Sequence, residues 1–496
     1  VIGGGHNGLV AAAYCARAGL STVVLERRAQ LGGATLSQPV WPGYTVSVAS
    51  YVCSLLDPRI VADLDLRAHG YDAYRKDPSS FTPLADGRSV LLGSDEHANA
   101  REVARFDERD VAGLAAFERE AARLGAALFA TFDDPDPCFA RFDDATRATL
   151  EGSAADLVER YVRTPVLAAT LATDGLIGTD AGVRDPGTAY VLAHHWAGRA
   201  LGVQGAWGFV RGGMGAVATA IASAARAAGA ELRTDAAVAR IGMRDGRAGR
   251  IELESGETID ARAVLVNADP KRLFLGLIDP GDVPPALLER ARAWRSNGVS
   301  VKLNLALGEL PNFLARPTSA EAAHHRATIH VAPSVDYLQA AYDDARTLGV
   351  SHNAMMECFM QTPTDPSLAP PGKHILSIFA QYFPYDRRDR AWRDADRDAV
   401  ADAIVAQLAA YAPNIPGAIE HRQILTPPDL EAQIGLTGGH IFHGELLPGQ
   451  IYEGRFGVRT GIAGLYLCGS GTHPGGCVSG FPGRRAAAAL LADRER

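Results

Sequence analysis

The chain opens Val1-Ile2-Gly3-Gly4-Gly5-His6-Asn7-Gly8, so that Gly3, Gly5 and Gly8 stand at G-x-G-x-x-G spacing. An apolar helical run from Leu9 to Ala18 follows, then Gly19, then the strand-like Thr22-Val23-Val24-Leu25 ending in Glu26. Strand, glycine turn, helix, strand and acid thus fall within roughly the 30 residues of one βαβ unit. Each part has a chemical task. Gly3 permits the tight turn, Gly5 lets main-chain N–H groups approach a pyrophosphate, and Gly8 lets the helix lie close to the strand. The helix N-terminus, with His6 and Asn7, supplies positive partial charge to phosphates. Glu26 can accept both ribose hydroxyls of an adenosine and would repel a 2′-phosphate. These residues predict a dinucleotide site in a parallel α/β sheet.

Arg27 and Arg28 lead from the acid into a second glycine turn, Gly32-Gly33-Ala34-Thr35. At the other end, Gly464-Leu465-Tyr466-Leu467-Cys468-Gly469-Ser470-Gly471 reads as a buried strand entering a glycine turn. The loop Thr472-His473-Pro474-Gly475-Gly476-Cys477-Val478-Ser479-Gly480 follows, then an alanine-rich helix from Phe481 to Ala492. The combination resembles the FAD-binding segments of glutathione reductase-like flavoproteins, in the branch of amine oxidases, phytoene desaturases and carotenoid isomerase-like proteins. Ser47-Val48-Ala49-Ser50-Tyr51 and Gly438-Gly439-His440-Ile441-Phe442-His443-Gly444-Glu445 also resemble that branch and pyridine nucleotide-disulphide oxidoreductase domain-type proteins.

The resemblance implies FAD as cofactor. It implies that Gly32, Gly33, Ala34 and Thr35 pass under the flavin end and that the Val238 backbone holds the adenine. It further implies that Gly469 and Ser470 approach the pyrophosphate and ribityl, and that Val478, Ser479 and Gly480 line the isoalloxazine. Ser470 stands where many relatives have an acid, and Cys477 replaces a usual glycine. The implied fold is α/β: a discontinuous glutathione reductase-like FAD-binding Rossmann domain with an inserted α+β substrate (cap) domain. Residues 1–75, 205–297 and 426–496 are assigned to the first, and 76–204 and 298–425 to the second. Gly212 to Gly215 miss the spacing of a second nucleotide turn, so no nicotinamide domain is expected.

At 496 residues the chain is long enough for two cores, and its net charge of −8 argues against nucleic acid. Arginine greatly outnumbers lysine and alanine is abundant, as in a high-GC bacterial chain. No apolar run reaches the roughly 18 to 20 residues of a membrane span, which leaves peripheral contact open. No secretory leader is recognised, and because the chain opens inside its first strand some leading residues are expected to precede it. Six cysteines without a C-x-x-C fit a reducing, cytoplasmic setting and remove a redox disulfide. Oligomeric state is not legible.

The reaction is less constrained. A flavin reaction needs a C–H bond held near N5 and a way to stabilise the cation left behind. The leading expectation is hydride abstraction from an apolar or conjugated small molecule, in the manner of a desaturase or dehydrogenase. Alternatives are amine oxidation with oxygen as acceptor, and flavin-supported isomerisation or a flavin-holding binding protein. No metal ligand spacing is found. If Gly438–Glu445 is a strand, His443 and Glu445 share one face and form either an acid/base pair or a structural hydrogen bond. Cys477 either touches the flavin chemically or is a small packed residue. His194, His195, His324 and His325 read as packed or solvated.

Lys302 stands alone in the apolar run Val299-Ser300-Val301-Lys302-Leu303-Asn304-Leu305, in a chain whose lysines are only 76, 271, 302 and 373. Burying a lone lysine is costly, so one reading is an edge strand with the ammonium in water. The family resemblance implies another, a catalytic lysine hydrogen-bonded through water to flavin N5.

Overall fold

A computed structural model of the chain describes residues 1–494. Its organising element is a parallel sheet assembled from distant parts of the sequence. Val23–Leu25 pairs with Glu231–Arg233, Val264–Val266 pairs with Leu465–Leu467, and Ile2 bridges Leu25 to Val266. Val23–Leu25, Val264–Val266 and Leu465–Leu467 are short, continuous apolar runs, as expected where both faces are covered, whereas Glu231–Arg233 is a charged strand at the sheet's edge.

One face carries helices. His6–Arg17 packs against both Gly215–Ala227 and Phe481–Arg494. All three are rich in alanine, and small side chains let the helices approach closely. Leu9, Val10 and Ala13 meet Val217 and Ile221 on one side, while Ala11 and Cys15 meet Ala486 and Leu490 on the other. The opposite face is covered by an antiparallel meander, Val238–Arg244, Arg247–Leu253 and Thr258–Asp260. Its Ile241, Ile251 and Leu253 share a core with Ile2, Leu25 and Val266.

The second layer is a seven-stranded sheet in the order Ile419–Leu425, Ser300–Leu307, His374–Gln381, Met355–Phe359, Thr328–Val331, Ser80–Pro83, Ser89–Leu92. Neighbours run antiparallel except Thr328–Val331 with Ser80–Pro83. Alternation across the pleat divides this sheet chemically. Val301, Leu303, Leu305, Met356, Cys358 and Ile378 face the helix Asp394–Ala409 and its Val400, Ile404 and Leu408. Lys302, Glu357, Phe359 and Phe379 project from the other face into a large cavity. Helices Arg109–Phe129, Ala154–Glu159, Pro165–Ala172 and Thr188–His195 form a further core beside it.

Two expectations are corrected here. Ser300–Leu307 is not an edge strand, because it is hydrogen-bonded to Ile419–Leu425 on one side and His374–Gln381 on the other. Lys302 is therefore 3% exposed rather than reaching water. Gly438–Glu445 is not a strand but a chain of turns, since Gly438, Gly439, His443 and Gly444 all have positive φ. No described helix is long and apolar enough to cross a membrane.

Candidate active site

The cavity has a volume of about 1190 Å³ and is walled by the parallel sheet's glycine turns at one end and by the seven-stranded sheet at the other. Small-molecule pockets commonly enclose about 300–1,000 Å³, so this one has room for a large cofactor and a substrate together.

The nucleotide end is built by two glycine turns pressed together. Gly5 bridges Gly32, and Gly32 N donates to Gly4 O at 2.9 Å. A Cβ on Gly33 would sit 3.2 Å from Gly5 Cα, and one on Gly8 would sit 2.1 Å from Gly3 O. Helix His6–Arg17 begins at Gly5 with no side chain capping it, so its first-turn N–H groups are free for an anion. Glu26 is held from both sides: one carboxylate oxygen accepts from Gly4 N at 2.7 Å, the other from Arg28 N at 3.0 Å. Asn7 Nδ2 donates to Ser470 Oγ at 3.2 Å, tying the first helix to the C-terminal loop.

Gly3, Gly5, His6, Asn7, Glu26, Arg27, Gly33, Ala34, Val238, Ser470 and Val478 line the cavity. Gly8, Gly32, Thr35, Gly469, Ser479 and Gly480 lie behind this wall, where they shape the turns that form it. Several wall atoms have no hydrogen-bond partner among the described residues: His6 Nε2, Asn7 Oδ1, Ser50 Oγ and His443 Nδ1. A buried polar group left unpaired is costly, and an extended phosphate-bearing cofactor with a polar ring system would satisfy such a set. The residues present therefore fit FAD.

At the other end, Lys302 Nζ donates to Ser377 Oγ, which donates to Asn304 Oδ1 at 2.7 Å. The ammonium lies 4.2 Å from the Tyr51 ring centre, and burial pushes its pKa down to about 7. Tyr51 packs on Phe359 at 4.2 Å between centroids. Lys76 sits over the second ring, 5.2 Å from the Phe359 centre, and donates to the Thr328 hydroxyl.

His443 and Glu445 do not form the expected pair. The turns send them apart, so His443 lines the cavity while Glu445 accepts from His440 Nε2 at 3.0 Å. Glu445 lines a separate, smaller cavity of about 400 Å³. Burial pushes His443 and His6 each down to about 4, which keeps both imidazoles neutral. Cys477 also lines the cavity, and burial raises its thiol to about 12. A thiol so disposed is a poor nucleophile.

Sequence reasoning missed several ionisable groups on the cavity wall, among them Lys76, Asp174, Glu357 and His330. A single acid inside Met355-Met356-Glu357-Cys358-Phe359 is the same signal that singled out Lys302. It also missed Arg455, whose buried guanidinium donates to the main-chain carbonyls of Phe442, Glu445, Gln450 and Ser470 at 2.6–3.0 Å.

The family model for flavin containing amine oxidoreductase matches residues 8–491. A mouse pyridine nucleotide-disulfide oxidoreductase domain-containing protein 2 is 37% identical, with 99% of this chain and 93% of that protein covered. Hydroxyneurosporene desaturase from Rhodobacter capsulatus is 28% identical, with 100% of this chain and 97% of that protein covered. Among solved structures, putrescine oxidase superposes with a TM-score of 0.64 at 16% identity, covering 99% of this chain and 98% of that one. With the glycine turns, the held acid and the cavity between two sheets, these likenesses identify the chain as a member of the flavin-containing amine oxidoreductase family and an FAD-dependent oxidoreductase.

Proposed function

We propose that the protein removes a hydride from a C–H bond of a neutral, apolar or conjugated small molecule, as a desaturase or dehydrogenase does. The observation that carries this reading is that lysines already cover the stacked Tyr51 and Phe359 rings. An amine substrate needs an aromatic face or a free carboxylate for its cation. Here Tyr51 is already covered by Lys302 and Phe359 by Lys76. A second substrate cation would meet two resident lysines, whereas a neutral chain would meet the rings and the methylene stems of both.

The Gly3–Gly8 turn, Glu26 and Ser470 would hold FAD, which when bound would supply the two-electron acceptor for the hydride. Forming a C=C bond also releases a proton from the adjacent carbon. Lys302, whose amine is partly neutral at physiological pH, is suited to take it at Nζ, with Ser377 orienting that nitrogen. His443, kept neutral beside His6, is suited to hydrogen-bond the cofactor through its unpaired Nδ1. Residues 1–75, 205–297 and 426–496 would form the FAD-binding unit, with the remainder as the substrate cap. The desaturase name carried by a 28% identical relative supports the same chemistry.

Amine oxidation is the second reading, favoured by the carboxyl groups of Asp174 and Glu357 on the cavity wall. Anaerobic mixing decides between them. Bleaching of the bound flavin by neutral substrates with activated or conjugated C–H bonds, and not by primary or secondary amines, is the expected result. Bleaching by amines alone would overturn it.

A further inference from the structure

Register in the seven-stranded sheet creates a row of side chains that no single segment of sequence reveals. Lys302 lies opposite Phe379, Phe379 opposite Glu357, and Glu357 opposite His330. Directly opposed residues project from the same face, which here is the cavity face. Strands are spaced about 4.8 Å apart, so Glu357 lies about 10 Å and His330 about 14 Å from Lys302 along this row.

The far end of the row is polar and buried. His330 Nδ1 lies 3.7 Å from a Glu357 oxygen and 3.5 Å from Thr173 Oγ1. Lys76 and Asp174 complete the group from outside the sheet, and both line the same cavity. Glu357 and Asp174 act electrostatically on Lys76, yet among the described residues neither carboxylate is in ion-pair contact with its ammonium. Lys76 is held by Thr328, Glu357 by Thr173 and Asp174 by Trp196, so no carboxylate–ammonium pair closes the space between them, and a ligand group can bridge it.

We infer that Lys76, Asp174, Glu357 and His330 form the docking site for a neutral hydroxyl at the end of an otherwise apolar substrate. This rests on the hydride-abstraction reading, with Lys302 marking the reacting end. A hydroxyl accepts from Lys76 and donates to a carboxyl group, which neither an ammonium nor a carboxylate can do. An ammonium would face Lys76, and a carboxylate would face Asp174 and Glu357. Burial pushes Glu357 up and Lys76 down, which moves the cluster towards neutrality and further disfavours a charged guest. The distance along the row sets a spacer of several carbon atoms between the hydroxyl and the reacting carbon.

The test is binding to the FAD-loaded protein, read by perturbation of the flavin absorbance and by equilibrium dialysis. The probes are 1-decanol, 1-fluorodecane, decylammonium and decanoate. The alcohol should bind tightest, about tenfold or more above the fluoride. Lys76→Met and Glu357→Leu should each erase that margin, while Glu357→Gln keeps most of it. Equal binding of alcohol and fluoride by the unaltered protein, or preference for either charged probe, overturns the hydroxyl site while leaving hydride abstraction from an apolar body intact. Failure of all four to bind overturns both, and the unaltered protein alone suffices for the comparison should a variant misfold.

Discussion

Lys302 Nζ stands 4.2 Å from the centre of the Tyr51 ring while donating to the hydroxyl of Ser377. The nitrogen is thus fixed from two sides, on a central strand, with its usual value of 10.5 lowered to about 7 by burial. Two consequences can be measured separately.

The first is kinetic. If the neutral amine accepts the substrate proton, flavin reduction should rise with pH through about 7 and then level off. Lys302→Met should retain FAD, lose that pH dependence and slow reduction by roughly 10²-fold or more. Stopped-flow reduction across pH 6 to 9 provides the check, and an unchanged rate would return Lys302 to a structural role.

The second is thermodynamic. Between about 7 and 10.5 the unfolded chain holds a proton on Lys302 that the folded chain has released. Stability therefore rises with pH across that window, and the cost of the buried ammonium is fully present below it. Lys302→Met removes the cost, so it should raise the melting temperature more at pH 6 than at pH 9.5. Equal gains at both would show that burial does not depress this lysine.

Legibility in the sequence followed the range of the interactions. The turn Gly3–Gly8, the acid Glu26 and the strand Val23–Leu25 could be read directly, because a turn, a helix start or an apolar run is set by neighbours in the chain. The stretch Gly438–Glu445 misled because His443 and Glu445 stand two residues apart, as on one strand face, while the positive φ of Gly438, Gly439 and Gly444 turns it. Lys302 could be noticed but not located, since an apolar run does not reveal whether its strand is central or at an edge. The row from Lys302 to His330 was out of reach, because register is decided by strands between residues 300 and 381 meeting in three dimensions.

Glu26 gives a cofactor prediction. Its carboxylate satisfies the N–H groups of Gly4 and Arg28 while lining the nucleotide end of the cavity. Glu26→Ala leaves both donors without this partner, each at a cost of about 1–3 kcal/mol where buried. FAD affinity should fall by about tenfold or more, measured by fluorescence of released flavin, while Glu26→Gln should fall between the two. Affinity unchanged in the alanine variant would remove Glu26 from the ribose site.

Arg455 gives the last and most severe prediction. Its Nη2 donates to Phe442 O at 2.7 Å and Ser470 O at 2.6 Å, and its Nη1 to Glu445 O at 2.8 Å. Those carbonyls belong to the turn that carries His443 and to the loop that carries the proposed flavin contacts. One planar guanidinium therefore sets the spacing between two walls of the cavity. Burial lowers its pKa to about 10, which still leaves it charged at neutral pH. Lysine keeps the charge but offers one nitrogen in place of a rigid fork, so it cannot reach both walls at once. Arg455→Lys should destabilise the protein by about 3 kcal/mol or more, as breaking a buried charged network does. It should also release FAD at temperatures where the native protein retains it. Denaturant melts, with flavin fluorescence followed in parallel, would measure both; a lysine variant that melts normally and stays yellow would show that the two walls hold their spacing without this residue.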